Sequence, residues 1–217
     1  MSSRVKAALF AFAALFGCSS MRADFITISQ PNAAYINSTT LLDFTDPDFT
    51  AVGFLSGGGE TLTYDSLLEE HTVPTNWTSW NNPPAVETST PRVGWTGAYA
   101  NDPSELTITL SRAATTFGFE VGPDLMIPEE TTADFYSGSK LVGTIDLFPS
   151  GNNGALLFAA TSHTDPFTSV VINNLNGDDF AIARQRFQLA AVPEPGSFAL
   201  LGLPLAALFA FKRARRS

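Results

Sequence analysis

Between residues 106 and 121 the chain alternates. Leu106, Ile108 and Leu110 are separated by Thr107, Thr109 and Ser111, and Phe117, Phe119 and Val121 by Gly118 and Glu120. Successive side chains of a strand point to opposite faces, so this period of two predicts strands with one buried and one wet face. Apolar β-rich runs at 25–29, 39–44, 49–55, 61–64, 133–136, 141–146, 155–160, 170–172 and 180–188 predict further strands. Residues 66–71 read as one helical turn. Thr45-Asp46-Pro47-Asp48 has turn chemistry, and Ser137-Gly138-Ser139 and Asn176-Gly177-Asp178 read as hairpin turns. Ser56-Gly57-Gly58-Gly59 reads as a flexible loop, and it lacks the Lys-Ser/Thr ending of a phosphate-binding loop. Many short strands without a helical period between them argue for an all-β, antiparallel β-sandwich, jelly-roll-like.

The stretch 73–92 breaks the pattern. It is polar and carries Pro74, Pro83, Pro84 and Pro91, so it predicts a long surface excursion. Trp77 and Trp80 lie in it, with Trp95 just beyond. Flat rings exposed on a loop can stack on the apolar face of a sugar, which makes Trp77 and Trp80 candidate glycan contacts. The competing expectation is that the rings fold back and cap the open end of the sandwich.

Both ends of the chain are built differently from the middle. Arg4 and Lys6 precede an apolar run at 7–16, and Ala23 is a plausible cleavage residue before Asp24, so residues 1–23 read as a secretory signal peptide. Leu15-Phe16-Gly17-Cys18 offers an alternative, lipidation of Cys18, although Phe16 stands where a lipoprotein box wants a small residue. At the other end Val192-Pro193-Glu194-Pro195 is held extended by its prolines. An apolar run at 198–211 follows, then a basic end of Lys212, Arg213, Arg215 and Arg216, which favours the cytoplasmic side of a membrane. As a helix the run rises about 21 Å, short of the ~30 Å hydrocarbon core.

Pro193-Glu194-Pro195, a short apolar helix and a terminal Arg-rich cluster resemble the PEP-CTERM sorting signal. That resemblance implies export through the inner membrane, transient membrane insertion of the tail and processing by an exosortase-type membrane protease. It further implies residence at the cell surface or in an extracellular polysaccharide matrix. A second resemblance runs through Phe117-Gly118-Phe119-Glu120-Val121, Phe135-Tyr136-Ser137-Gly138, Asp165 to Val170 and Asp179-Phe180-Ala181-Ile182. It is to the β-sandwich domain common in PEP-CTERM proteins, and it is similar to galactose-binding-like and carbohydrate-binding sandwiches. Such domains often carry an Asp soon after Phe-Ala-Ile, where Ala183 and Arg184 stand here.

Composition then bounds the chemistry. Residues 24–191 form one domain's length, hold five basic and twenty acidic residues, and have no cysteine, so no disulfide supports the fold. A surface near −15 repels nucleic acid and anionic membrane and attracts divalent cations. Asp43, Asp46 and Asp48, and Asn176, Asp178 and Asp179, are spaced as oxygen ligands for calcium, the only cofactor the sequence suggests. They are also the residues that tight turns use. His71 and His163 lie outside any HExxH pattern, and the core has no GxSxG elbow, so no catalytic residue is assigned. The expectation is a non-enzymatic, exported sandwich associated with polysaccharide. The alternatives are a secreted glycan hydrolase and a ligand-free envelope protein.

Overall fold

The computed structural model describes residues 24–100 and 102–191. The expected signal peptide at 1–23, with Cys18, and the expected sorting signal at 192–217 lie outside those residues. No helix among the described residues is long and apolar enough to cross a membrane.

The architecture of the described residues is all-β and antiparallel, with eleven strands in one continuous sheet. Two long strands, β4 (Glu60–Thr72) and β6 (Glu105–Pro123), each serve both halves of it. The first half of β6 pairs with β10 (Phe167–Asn174) and with the start of β4, and β7 (Thr131–Ser137) and β8 (Lys140–Leu147) continue outward from β10. The second half of β6 pairs with β9 (Leu156–Thr161) and β11 (Phe180–Leu189). Beyond β11 come β5 (Arg92–Trp95) and β2 (Thr40–Leu42), while β1 (Ile26–Ile28) edges β9. The sheet closes over itself, and the Phe119 ring of one half stacks 6.5 Å from Phe135 of the other. Between them lies one apolar core that includes Leu62, Leu68, Leu106, Ile108, Leu110, Phe117 and Ile182. The alternation at 106–110 and 117–121 therefore selects core positions as expected.

Three sequence expectations need correction, and one element was not foreseen. Residues 66–71 are not helical. They belong to β4, whose Glu69 to Thr72 pair with β5 while Leu68 and Glu69 pair with β3 (Ala51–Gly57), and these ladder bonds override any local helical tendency. One short helix among the described residues, α1 (Ala33–Ser38), was not anticipated; Asn32 caps it by accepting the Tyr35 amide at 3.0 Å. Gly58 and Gly59, expected as part of a flexible loop, form the tight turn between β3 and β4, with φ of 58° and 81°. A two-residue turn with both φ positive matches the strand twist and strongly favours glycine. The turn at Asn176-Gly177-Asp178 joins β10 to β11, which lie in different halves and do not pair, so it is a crossover and not a hairpin.

Candidate functional site

Trp77 and Trp80 do not present their faces to solvent. They are 7% and 2% exposed, packed with Val73, Val86, Val93, Ala155, Ala181 and Ala183 on the outer face of β5, β11, β6 and β9. The 73–91 loop is thus a third layer: the rings fold back as the competing expectation had it, but they cover the outer face of the sheet and not an open end of the sandwich. Trp80 lies flat over Gly122, where an added side chain would approach its ring to 2.8 Å. Its indole Nε1 donates to Glu120 Oε2 at 2.8 Å.

Polar bonds pin the same loop. The Glu87 amide donates to Glu120 Oε1 at 2.6 Å, and the Glu87 carboxylate accepts from Arg186 Nε at 2.6 Å and Arg184 Nη2 at 2.9 Å. Burial opposes ionisation of Glu87, but the hydrogen bonds from Arg186 and Arg184 outweigh it and hold the carboxyl below its ordinary range. Glu120 has no arginine bonded to it, and burial pushes it up to about 7.

The two acidic triplets do not converge on a common point. Asp43 accepts from Arg184 at 2.6 Å, while Asp48 accepts from Thr72 at 2.7 Å and Arg92 at 3.1 Å. Asp46 contributes its carbonyl to Arg92. Asn176 lies exposed in its turn, the Asp178 carbonyl accepts from Asn174 at 3.1 Å, and Asp179 turns toward Trp95. Among the described residues no three His, Cys, Asp or Glu side chains are grouped to hold a metal ion.

What the fold does present is an aromatic strip where β4 meets β5. Phe49 has φ of 68° and is 61% exposed. A bulky side chain in this left-handed region costs about 1–2 kcal/mol. The conformation is held by the Phe49 amide donating to Glu70 at 2.8 Å and the Glu70 amide donating to Thr50 at 3.0 Å. The ring stands edge-on to His71, centroids 5.3 Å apart. His71 is buried and is also 5.5 Å from Trp95 and 6.3 Å from Trp77. Its Nε2 is 3.0 Å from Glu69 Oε1, and neither ring nitrogen makes a hydrogen bond among the described residues.

Strand register then sets the second side of the strip. Glu69 lies directly opposite Trp95, and Trp95 lies opposite Ala181, two residues past Asp179. The indole is therefore bracketed by two carboxylates. Burial, then the nearby Asp124 carboxylate, push Asp179 above its ordinary value. Tyr99, 46% exposed, completes the strip with its hydroxyl beside Glu69; partial desolvation and then that carboxylate raise the phenol. Sequence reasoning missed Phe49 and Tyr99. No local signal marks Phe49 as left-handed. Tyr99 sits in a Gly-Ala-Tyr-Ala-Asn-Asp-Pro run, and the turn-forming residues of that run are the signal that could have found it.

No protein-family model matches the chain, and no curated protein matches it either. Among solved structures it is similar to a mutant of CBM29-2, a family 29 carbohydrate-binding module made to probe ligand recognition. That match has 8% identity and a TM-score of 0.30, over 81% of this chain and 100% of the module. A superposition that loose carries no argument about ligand.

Proposed function

We propose that this chain is an exported β-sandwich that binds an extracellular glycan along the strip from Phe49 to Tyr99. The observation that carries the reading is the Phe49 ring, 61% exposed on a strained left-handed backbone beside His71. Strain of that kind persists where the surrounding structure over-determines it, and it clusters at binding sites. An outward ring with a second ring and carboxylates close by suits a sugar, which offers an apolar face and a rim of hydroxyls. Export by residues 1–23 and sorting through residues 192–217 by an exosortase-type protease supply the address. The resemblance of Pro193-Glu194-Pro195 and the basic end to a sorting signal supports that part, and the polysaccharide matrix is the partner it implies.

The test is binding of soluble polysaccharides by wild type, Phe49→Ala and Tyr99→Ala, with urea unfolding in parallel. Each substitution is expected to weaken binding at least tenfold and to change stability by less than about 1 kcal/mol, as exposed substitutions do. Wild-type binding by both variants would exclude the strip.

A further inference from the structure

The charges around the strip limit which sugar it can take. Trp95 is flanked by Glu69 on β4 and Asp179 ahead of β11, and the chain places Asp124 and Asp178 close to Asp179. Among the described residues no arginine is left to offset them there. Arg92, on the same strand as Trp95, is matched by Asp48 at 3.1 Å and Glu70 at 3.3 Å. Among the described residues Glu69 meets the His71 imidazole and the Tyr99 hydroxyl and no cationic side chain of Lys or Arg. Aromatic faces combined with uncompensated carboxylates form a setting that attracts a compact cation, by the ring quadrupole and by charge. The same setting repels a uronate or a sulfated sugar.

Resting on the glycan-binding reading, we infer that the strip selects amino sugars with free ammonium groups, de-N-acetylated hexosamine polymers, over N-acetylated and acidic ones. The sugar's apolar face stacks on Phe49 and Tyr99, and its ammonium group lies over Trp95 between Glu69 and Asp179. N-acetylation removes the charge and adds bulk at the same atom, so both gains are lost together.

The experiment measures binding of the full-length chain, in mild detergent at pH 6, to three probes of matched length. These are a glucosamine oligosaccharide, its N-acetylated counterpart and an oligouronate. The expected result is a glucosamine preference of about tenfold, equivalent to ~1.4 kcal/mol, with no detectable uronate binding. The preference should shrink as salt is raised. Glu69→Gln should cut it to about twofold. Asp146→Asn removes one charge on β8, where Asp146 pairs with Thr132 far along the sheet, and should leave it unchanged. If Asp146→Asn lowers the preference as much as Glu69→Gln, the attraction belongs to the net charge and the inference falls. Equal binding of glucosamine and N-acetylglucosamine oligomers overturns the inference but leaves the glycan-binding reading standing. Binding of none of the three, nor of any neutral glycan, overturns both.

Discussion

Replacing Glu120 by Gln isolates one carboxyl's effect on stability. Glu120 is fully buried between β6 and the 73–91 loop, and its two oxygens accept from Trp80 and Glu87. Burial pushes it up to about 7 from 4.5, and the two hydrogen bonds only partly oppose that. In the unfolded chain the group titrates near 4.5. Between those two pH values the folded protein holds a proton that the unfolded chain has released, so stability falls as pH rises. A gap of roughly 2.5 at ~1.36 kcal/mol each comes to about 3 kcal/mol, fully present below pH ~4.5 and lost as pH rises through about 7. Asp43, Glu70, Glu129 and Asp179 are also raised and share the sign, whereas Asp48 and Glu87 are lowered, so their contribution is in place above about pH 4.5 and is lost only as pH falls below the window. They are common to both proteins, so the difference between the two curves reports Glu120. The assay is urea unfolding of residues 24–191 from pH 4.5 to 8. Wild type should lose about 3 kcal/mol more than Glu120→Gln over that range. Parallel curves would refute the burial argument and place water or a cation beside the carboxyl.

Trp80→Ala should destabilise the domain by roughly 3–5 kcal/mol, because it empties a buried aromatic site and strips a donor from Glu120. Chemical denaturation reads this, and a loss below about 1 kcal/mol would mean that the ring is not part of a packed layer. Glu194→Ala should leave membrane insertion of the tail intact and block its release, so that uncleaved protein accumulates in the membrane fraction of a host with an exosortase. Processing like wild type would reduce residues 192–217 to an anchor.

The sequence pattern reveals a strand where one face is wet, and it fails where both faces are covered. Leu106, Ile108 and Leu110 alternate cleanly because Thr107 and Thr109 on the other face are not fully buried. From Thr116 to Pro123 every residue of β6 is buried, since the core lies on one side and the loop, together with Tyr35 of α1, on the other. Glu120 keeps the alternation on paper, yet its side chain is not wet. Arg112 and the small residues after it hide the continuity of β6 across both halves. The proline-rich loop looked like a surface excursion because its prolines and polar residues are local features. The sealing of Trp77 and Trp80 depends instead on Glu87 meeting Arg184 and Arg186, nearly a hundred residues later in the chain. The strip is harder still to see. Glu69, Trp95 and Asp179 come together only through the register of β4, β5 and β11, which no window of sequence contains.

That register also orients the site. The strand β6 bends over near Ala113 and Ala114, so that Phe119 on one limb comes to face Phe135, which is level with Ile108 on the other. The described ends of the domain both lie at the bend. Asp24 accepts from the amides of His163 and Thr164, the Ser162 amide donates to Thr115, and the Ala190 amide donates to Ala113. The limbs of β6 run away from that bend and finish beside the crossover that carries Asp178 and Asp179. Trp95 lies opposite Ala181, and Ala181 lies opposite Gly122, six residues or about 20 Å beyond Thr116. Under the proposed sorting scheme the tail leaves from the bend and the aromatic strip occupies the opposite pole. While residues 198–211 hold the chain at the membrane, the strip faces outward, where a matrix polysaccharide lies within reach before release as well as after it. Binding would then not need to wait for processing. An uncleaved Glu194→Ala protein displayed on spheroplasts should still capture a fluorescent glycan through Phe49, and capture only after cleavage would mean that the strip faces the bilayer.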